Sequence, residues 1–462
     1  MKKLIILLIT IFTANILFAQ TANHQAASSN FQKYYNAGQY DEIFNSFAPE
    51  MKAALPLEKT RQFLSSLRGQ IGSIESMVFV SDQQSGYALY KTKFEKAVLG
   101  VNISLDPKNQ ITGLLIKPYE DQAQQPNKTS NSLSSYPKEI AELIFTAIKD
   151  LPNNAQLAIA IINNGKTDYY GVKKMDDAIV PTENQQKFFE IGSITKVFTS
   201  AVLASLVLDK KLKLTDEINS YYPFTFKDDI RFTFLSLANH TSGLPRLPEN
   251  LDLSNKENPY KSYGKAELEA YLKQIINRKN EPATTYSYSN LGAGLLGYTL
   301  GLSQKTTFQE LLQTKIFDKY EMKNAVTSSG NLGNDLVKGL NKQGEQVFNW
   351  DIEVLFAAGG IVSTAEDLVK FINAQFNPKN KELELTRKTT FEIKGDTKIG
   401  LGWHILSSAN KEDLFWHNGG TGGYSSSVVM KVAEKKAVII LSNVFDINDK
   451  IDALSYNLLD KK

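Results

Sequence analysis

The chain contains no cysteine. That absence excludes disulfides, a cysteine nucleophile, cysteine-ligated zinc and a lipid-modified cysteine at a processing site. Histidine is scarce too, at four residues in 462. His404 and His417 lack the HExxH spacing and have no carboxylates nearby in sequence, which argues against a metal site, and none is assigned. Charge of one sign is also missing: 52 basic residues stand against 49 acidic ones, a net +3 with no basic block, so no nucleic-acid partner is expected. No Gly-x-Ser-x-Gly occurs, which argues against the strand–Ser–helix elbow of the α/β-hydrolases. Beyond the first residues no segment offers the ~20 uninterrupted apolar residues that a membrane span needs.

What is present is ordinary globular composition, 42% hydrophobic and 22% charged, in a chain long enough for two or three domains. Met1-Lys2-Lys3, the apolar run from Leu4 to Ile9 and the small residues around Ala19 fit a signal peptide over residues 1–20. A periplasmic or secreted protein with no stable membrane span after signal removal is therefore expected. Residues 28–118 show helical spacing (Phe31, Tyr34, Tyr35, Tyr40, Ile43, Phe44, then Leu57 to Leu67). Four β-type runs follow, Met77 to Val80, Tyr87 to Tyr90, Val98 to Ile103 and Ile111 to Ile116, which predicts a small α+β domain. Residues 119–136, rich in Gln, Asn and Ser, read as a linker. A second domain is expected over 137–462. Its two hairpins, one turning at Asn163-Asn164-Gly165-Lys166 and one formed by Ser425 to Val432 with Ala437 to Asn443, predict one antiparallel sheet covered by the two terminal helices.

The chemistry concentrates at Gly192-Ser193-Ile194-Thr195-Lys196, which opens an apolar helix running to Leu206 and Val207. Residues three apart share a helix face, so the Lys196 amine can reach the Ser193 hydroxyl. A lysine in an apolar pocket loses its proton more easily, giving a nucleophile with a base beside it. Ser135/Lys138, Ser262/Lys265 and Ser408/Lys411 repeat the spacing in polar surroundings, so spacing alone does not decide. Gly292-Ala293-Gly294-Leu295-Leu296-Gly297 spells a dinucleotide fingerprint but has no βαβ unit around it, and glycines on an apolar helix read as packing positions; no cofactor is expected.

Three further stretches place polar residues where a loop meets an apolar element: Tyr288-Ser289-Asn290, His240-Thr241-Ser242-Gly243-Leu244-Pro245, and His417-Asn418-Gly419-Gly420. With Ser193-Ile194-Thr195-Lys196 and Ala357 to Leu368, these motifs resemble, in order, those of the penicillin-recognising serine hydrolases: class C β-lactamases, D,D-peptidases, D-aminopeptidases and related esterases. The resemblance covers about residues 137–459. It implies a β-lactamase/D,D-peptidase-like α/β (α+β) fold, an antiparallel sheet flanked by helices plus a helical subdomain. The first domain resembles small export-associated domains of unknown function that precede hydrolases.

The resemblance also implies roles. Ser193 is acylated, while Tyr288, ionised with the help of cationic Lys196, takes and returns the proton. Asn290 hydrogen-bonds the substrate or Lys196. His417 and Gly419 stand at the family's third motif, and the amides of Ser193 and Gly420 form the oxyanion hole. The implied partner is a small-molecule or peptide substrate: a D-amino-acid peptide or amide, an ester, or a weakly turned-over β-lactam. The alternative is a non-turnover penicillin-binding or peptidoglycan-sensing protein. His417 stands where the family has Lys or His, so a carboxylate could be held only if its imidazole is protonated.

Overall fold

A computed structural model describes residues 22–82, 87–119, 129–255, 257–277, 284–408 and 411–461. The expected signal segment and residues 120–128 of the expected linker lie outside the described residues. The chain forms two compact units, Met1–Gln125 and Pro126–Lys462.

In the first unit, helices α1 (Ala22–Ala37), α2 (Tyr40–Asn45), α3 (Pro49–Ala54) and α4 (Leu57–Ile71) precede strands β1 (Ile74–Asp82), β2 (Tyr87–Phe94), β3 (Val98–Leu105) and β4 (Ile111–Pro118). The strands form an antiparallel meander in sequence order. Alternation decides which face is covered: Ala88, Tyr90, Thr92 and Phe94 of β2 are buried while their neighbours are not. Tyr35 fills the space between helix and sheet, 5.9 Å from the Phe31 ring and 5.8 Å from that of Phe94. Asn36 ties α1 to β1 by donating to the Ile74 carbonyl and accepting from its amide, both at 2.8 Å.

The second unit is built on a sheet of eleven strands among the described residues. In chain order these are β5 (Ser130–Asn131), β6 (Gln156–Asn163), β7 (Lys166–Tyr169), β8 (Val172–Met175) and β9 (Ala178–Pro181), then, beyond a two-stranded ribbon of β10 (Phe189–Glu190) and β11 (Val362–Ser363), β12 (Phe391–Lys394), β13 (Thr397–Ile399), β14 (His404–Ser408), β15 (Lys411–Gly420), β16 (Ser425–Lys431) and β17 (Lys436–Ser442). The spatial order β12-β13-β14-β15-β16-β17-β6-β8-β9-β5 is antiparallel except at the β5–β9 edge; β7 forms the predicted hairpin with β6. The polar stretch through 136 is thus not linker throughout. Ser130 and Asn131 pair with Ala178 and Ile179, and Leu133 is 1% exposed, because the sheet edge needs a partner and this segment supplies it.

Both faces of the central strands are buried, as their continuous apolar runs require. Ala158, Ala160, Ile162, Val428 and Met430 face one core, while Leu157, Ile159, Ile161, Val429 and Val438 face the other. The second core is closed by α5 (Lys138–Ile148) and a C-terminal helix (Asn448–Leu459), through Ile140, Ile144, Ile451, Leu454 and Leu458. The first is closed by the middle of the chain: α6 (Thr195–Leu208), α7 (Phe234–Ala238), α8 (Lys265–Ala270), α9 (Asn290–Gln304), α10 (Phe308–Leu312), α11 (Ala365–Gln375) and α12 (Lys381–Thr386). The C-terminal helix is therefore α13. Helix α6 is buried from Thr195 to Leu206 on all sides, with Phe198 stacked on Phe371 of α11 at 4.1 Å. No helix among the described residues is long and apolar enough to cross a membrane.

Candidate active site

Ser193 lies in a single 3-10 turn, Gly192–Ile194, that runs directly into α6. Gly192 has φ +52°, where glycine carries no steric cost. Its backbone meets the end of β15: a Cβ at Gly419 would lie 2.1 Å from the Ile191 carbonyl oxygen and 2.8 Å from the Ser193 amide nitrogen. Two main chains thus touch at a spot where any side chain would hold them apart. This brings Gly420 into the cleft lined by Ser193, Tyr260, Asn290, Trp350, Ile352 and Gly359.

The Lys196 amine is 2.9 Å from Ser193 Oγ and donates to the Ala358 carbonyl at 2.6 Å. Lys196 is 2% exposed, and burial, seconded by the positive charge of Arg246, pushes its pKa well below the ordinary lysine value. Tyr288 lies beside Ser193, near enough for the serine to favour its ionised form, and the Lys196 Nζ lies 4.8 Å from its ring centroid. Burial pushes the phenol up to about 12, outweighing Ser193 and Arg246, which pull it down. Burial thus works against the expected ionisation of Tyr288. Desolvation penalises the charged form of each group, so the amine gives up its proton more readily and the phenol keeps its own more firmly.

Tyr288 and Asn290 are delivered by the start of α9. Ser289 caps that helix, accepting from the Gly292 amide at 2.8 Å, and donates to the Pro245 carbonyl at 2.6 Å. Asn290 donates to the Tyr260 hydroxyl at 3.4 Å, and no hydrogen bond joins it to Lys196. The loop after α7 supports this arrangement from beneath. His240, 1% exposed at φ +61°, accepts from the Ser289 amide through Nδ1 at 3.2 Å and lays its ring 4.5 Å from that of Tyr288. It is a loop hydrogen-bonder, as its surroundings in the sequence suggest.

His417 faces the cleft from β15, with ring centroids 6.4 Å from Tyr288 and 5.4 Å from His404. Its Nδ1–H donates to the Asn418 carbonyl at 2.6 Å. Burial first, then the nearness of two further basic groups, His404 and Lys196, holds its pKa well below 6.5. It is therefore neutral near pH 7, and the requirement of a protonated imidazole is not met. Asn418 points the other way, as strand alternation dictates, and donates to Asp452 of α13 at 2.7 Å. His404, pushed down to about 4 chiefly by burial, shares a 2.8 Å hydrogen bond with Tyr286.

Every residue singled out as a site candidate (Ser193, Lys196, Tyr288, Asn290, His417, Gly419 and Gly420) falls in or against this one cleft. Sequence reasoning missed Arg246, Tyr260, Trp350 and the Ala358 carbonyl. Arg246 directly follows Leu244-Pro245, so its neighbourhood was visible though its role was not. Among the described residues no group of His, Asp and Glu is placed to hold a metal.

A serine beside a buried lysine, a tyrosine close to both, and a half-helical sheet domain around them define a β-lactamase-like architecture. The chain belongs to the Beta-lactamase family, whose model matches residues 146–460. Residues 28–114 match a family described only as proteins of unknown function, DUF3887. A β-lactamase of Pseudomonas fluorescens is 29% identical over 290 residues, 60% of this chain and 77% of its own length. One of Escherichia coli is 24% identical over 290 residues, covering 60% and 74% respectively. The solved β-lactamase/D-alanine carboxypeptidase of Pseudomonas syringae superposes with a TM-score of 0.59 at 21% identity, over 70% of this chain and 99% of that one, a likeness of fold.

Proposed function

We propose that the protein is an exported serine hydrolase that works through an acyl-enzyme on small amide or ester substrates: D-amino-acid peptides or amides, esters, and β-lactams only weakly. The observation that carries this reading is the 2.9 Å contact between Ser193 Oγ and a buried Lys196 amine whose pKa burial lowers. In it, Ser193 Oγ attacks the substrate carbonyl as its proton passes to Lys196. The amides of Ser193 and Gly420 stabilise the developing oxyanion, a contribution of ~10²–10³-fold per donor. Tyr288, already protonated, gives its proton to the departing nitrogen or oxygen and recovers one from Lys196. Water, activated by the same pair, then cleaves the acyl ester and restores Ser193.

The neutral His417 supports placing β-lactams low among the substrates, since it supplies no charge for their carboxylate. The test is labelling with a fluorophosphonate, followed by burst kinetics with a chromogenic ester, in wild type and Ser193→Ala. Turnover abolished by Ser193→Ala is expected. A stoichiometric burst with no further release would favour the sensor reading, and no labelling of wild type would defeat both.

A further inference from the structure

The peptide joining Gly419 to Gly420 carries one of the two proposed oxyanion donors, the Gly420 amide. Both residues are glycines, so no side chain of their own steers that peptide. It is planar and trans, with its N–H opposite its C=O, so whatever holds the Gly419 carbonyl also aims the Gly420 N–H. That carbonyl is held by Asn448, the first residue of α13, whose Nδ2 donates to it at 2.9 Å. The same Nδ2 donates to the Ser426 carbonyl at 3.2 Å. Ser426 is the residue paired with Gly419 across β15 and β16, so Asn448 grips both strands at the level of the donor. Its Oδ1 sits close by as well, 3.4 Å from where a Cβ on Gly420 would lie.

The Gly420 nitrogen, in turn, lies against the turn that carries the nucleophile, 2.6 Å from where a Cβ on Gly192 would be. Ser426 ties that turn to the same place, since its Oγ donates to the Ile191 carbonyl at 2.7 Å. The segments bearing the Ser193 and Gly420 amides are thus both referenced to one rung of the sheet, and Asn448 fastens that rung to α13. A second tie between α13 and β15 acts elsewhere. Asp452 accepts from Trp416 Nε1 at 3.2 Å and from Asn418 Nδ2 at 2.7 Å, which docks the helix on the strand without a bond to the Gly419 carbonyl.

Resting on the hydrolase reading, we infer that Asn448 is a positioning residue for the oxyanion hole: by holding the Gly419 carbonyl it keeps the Gly420 N–H aimed at the oxygen on which charge develops. Glycine accepts either sign of φ at little steric cost, so a peptide between two glycines turns over more easily than others, and Asn448 opposes that turn. A donor aimed before the reaction begins needs no reorganisation as the charge appears. The bond to the Gly419 oxygen also polarises the amide, which makes the Gly420 N–H a stronger donor. Asn448 itself transfers no proton and forms no bond to the acyl carbon; it acts through the peptide it holds.

The experiment compares an aryl ester with its thionoester, in which sulfur replaces the carbonyl oxygen, in full-length wild type, Asn448→Ala, Asn448→Asp and Asp452→Ala. Sulfur is a weak hydrogen-bond acceptor, so the ratio of kcat/KM for ester over thionoester reads the oxyanion hole and cancels any general loss of folded enzyme. Asn448→Ala is expected to lower that ratio at least ~10-fold, through kcat with KM little changed, since small misplacements of a positioned group are costly. Asn448→Asp keeps the size but sets an acceptor against the Gly419 carbonyl, and should lower the ratio at least as far. Asp452→Ala should lower the melting temperature and leave the ratio unchanged. A ratio unchanged in both Asn448 variants overturns the inference while leaving the hydrolase intact. An equal fall in Asp452→Ala overturns it too, because helix docking and not the bond to Gly419 would then set the donor. Ester hydrolysis that survives Ser193→Ala defeats the hydrolase reading itself.

Discussion

Gly297 of α9 and Ala357 lie so close that a Cβ on the glycine would come 2.1 Å from the Cβ of the alanine. The contact matters through the two carbonyls it sets in place. That of Ala357 accepts from the Thr199 hydroxyl at 2.8 Å, and its neighbour, the carbonyl of Ala358, takes the Lys196 amine. Gly294 and Gly297 of the nucleotide-like fingerprint are thus packing positions, against Leu355 and Ala357.

Gly297→Ala should therefore hurt twice. Overpacking of a filled core costs roughly 1–3 kcal/mol, read as a melting temperature lower by several degrees. The displaced 357–358 segment should also lift Lys196 away from Ser193, slowing the ester burst at least tenfold. Unchanged melting and burst rates would show that the segment can move without consequence.

Lys196 predicts the pH dependence of the chemistry. With its pKa lowered by burial, the amine accepts a proton from Ser193 only above that lowered value, so kcat/KM for a neutral ester should climb as pH rises through it. Lys196→Arg, charged at every working pH, should lose ~10²–10⁴-fold. The same shift acts on stability. The unfolded chain holds a lysine proton that the folded one has released, so stability rises with pH from the lowered value towards the ordinary one. Lys196→Met should flatten that slope in a series of denaturant titrations.

His417 is predicted to be silent in the physiological range. Its pKa, held well below 6.5, leaves it neutral from pH 6 to 8, so KM for an acidic substrate should vary identically with pH in wild type and His417→Gln. A wild-type KM that rises over that interval, and stops doing so in the variant, would restore a charged role to the imidazole.

The two units carry separate cores, and the described site residues all belong to the second. A fragment of residues 126–462 should hydrolyse the ester at close to the full-length rate. A fragment starting at 137 should melt lower, because it loses Leu133 and the strand at Ser130–Asn131. Equal melting temperatures would mean that this edge contributes nothing.

Much of this arrangement was legible from residue patterns. Ser193 and Lys196 announce themselves by sharing a helix face at the head of an apolar run, and Tyr288 and Asn290 flank a helix-capping serine. The meander of the first unit follows from alternation and turn residues. Arg246, Tyr260 and Trp350 were not legible, since they converge from loops whose side chains follow no period. The edge strand β5 escaped because two polar residues carry no alternation. The protonation states of Tyr288 and His417 escaped because desolvation is a property of the assembled surroundings, not of the residue.

Strand β6 has its neighbour in β17, and the amide of Gln156 is held by the side chain of Asn443, 287 positions along the chain. During synthesis the hydrolase sheet cannot close until nearly its final strand has emerged, whereas the first unit finds all its partners within its own short span. Non-local pairing of this kind is slow and leaves apolar strands waiting. The nascent polypeptide therefore carries a finished head in front of a long unfinished body, and the open edges of that body are what any chaperone attending it would have to cover.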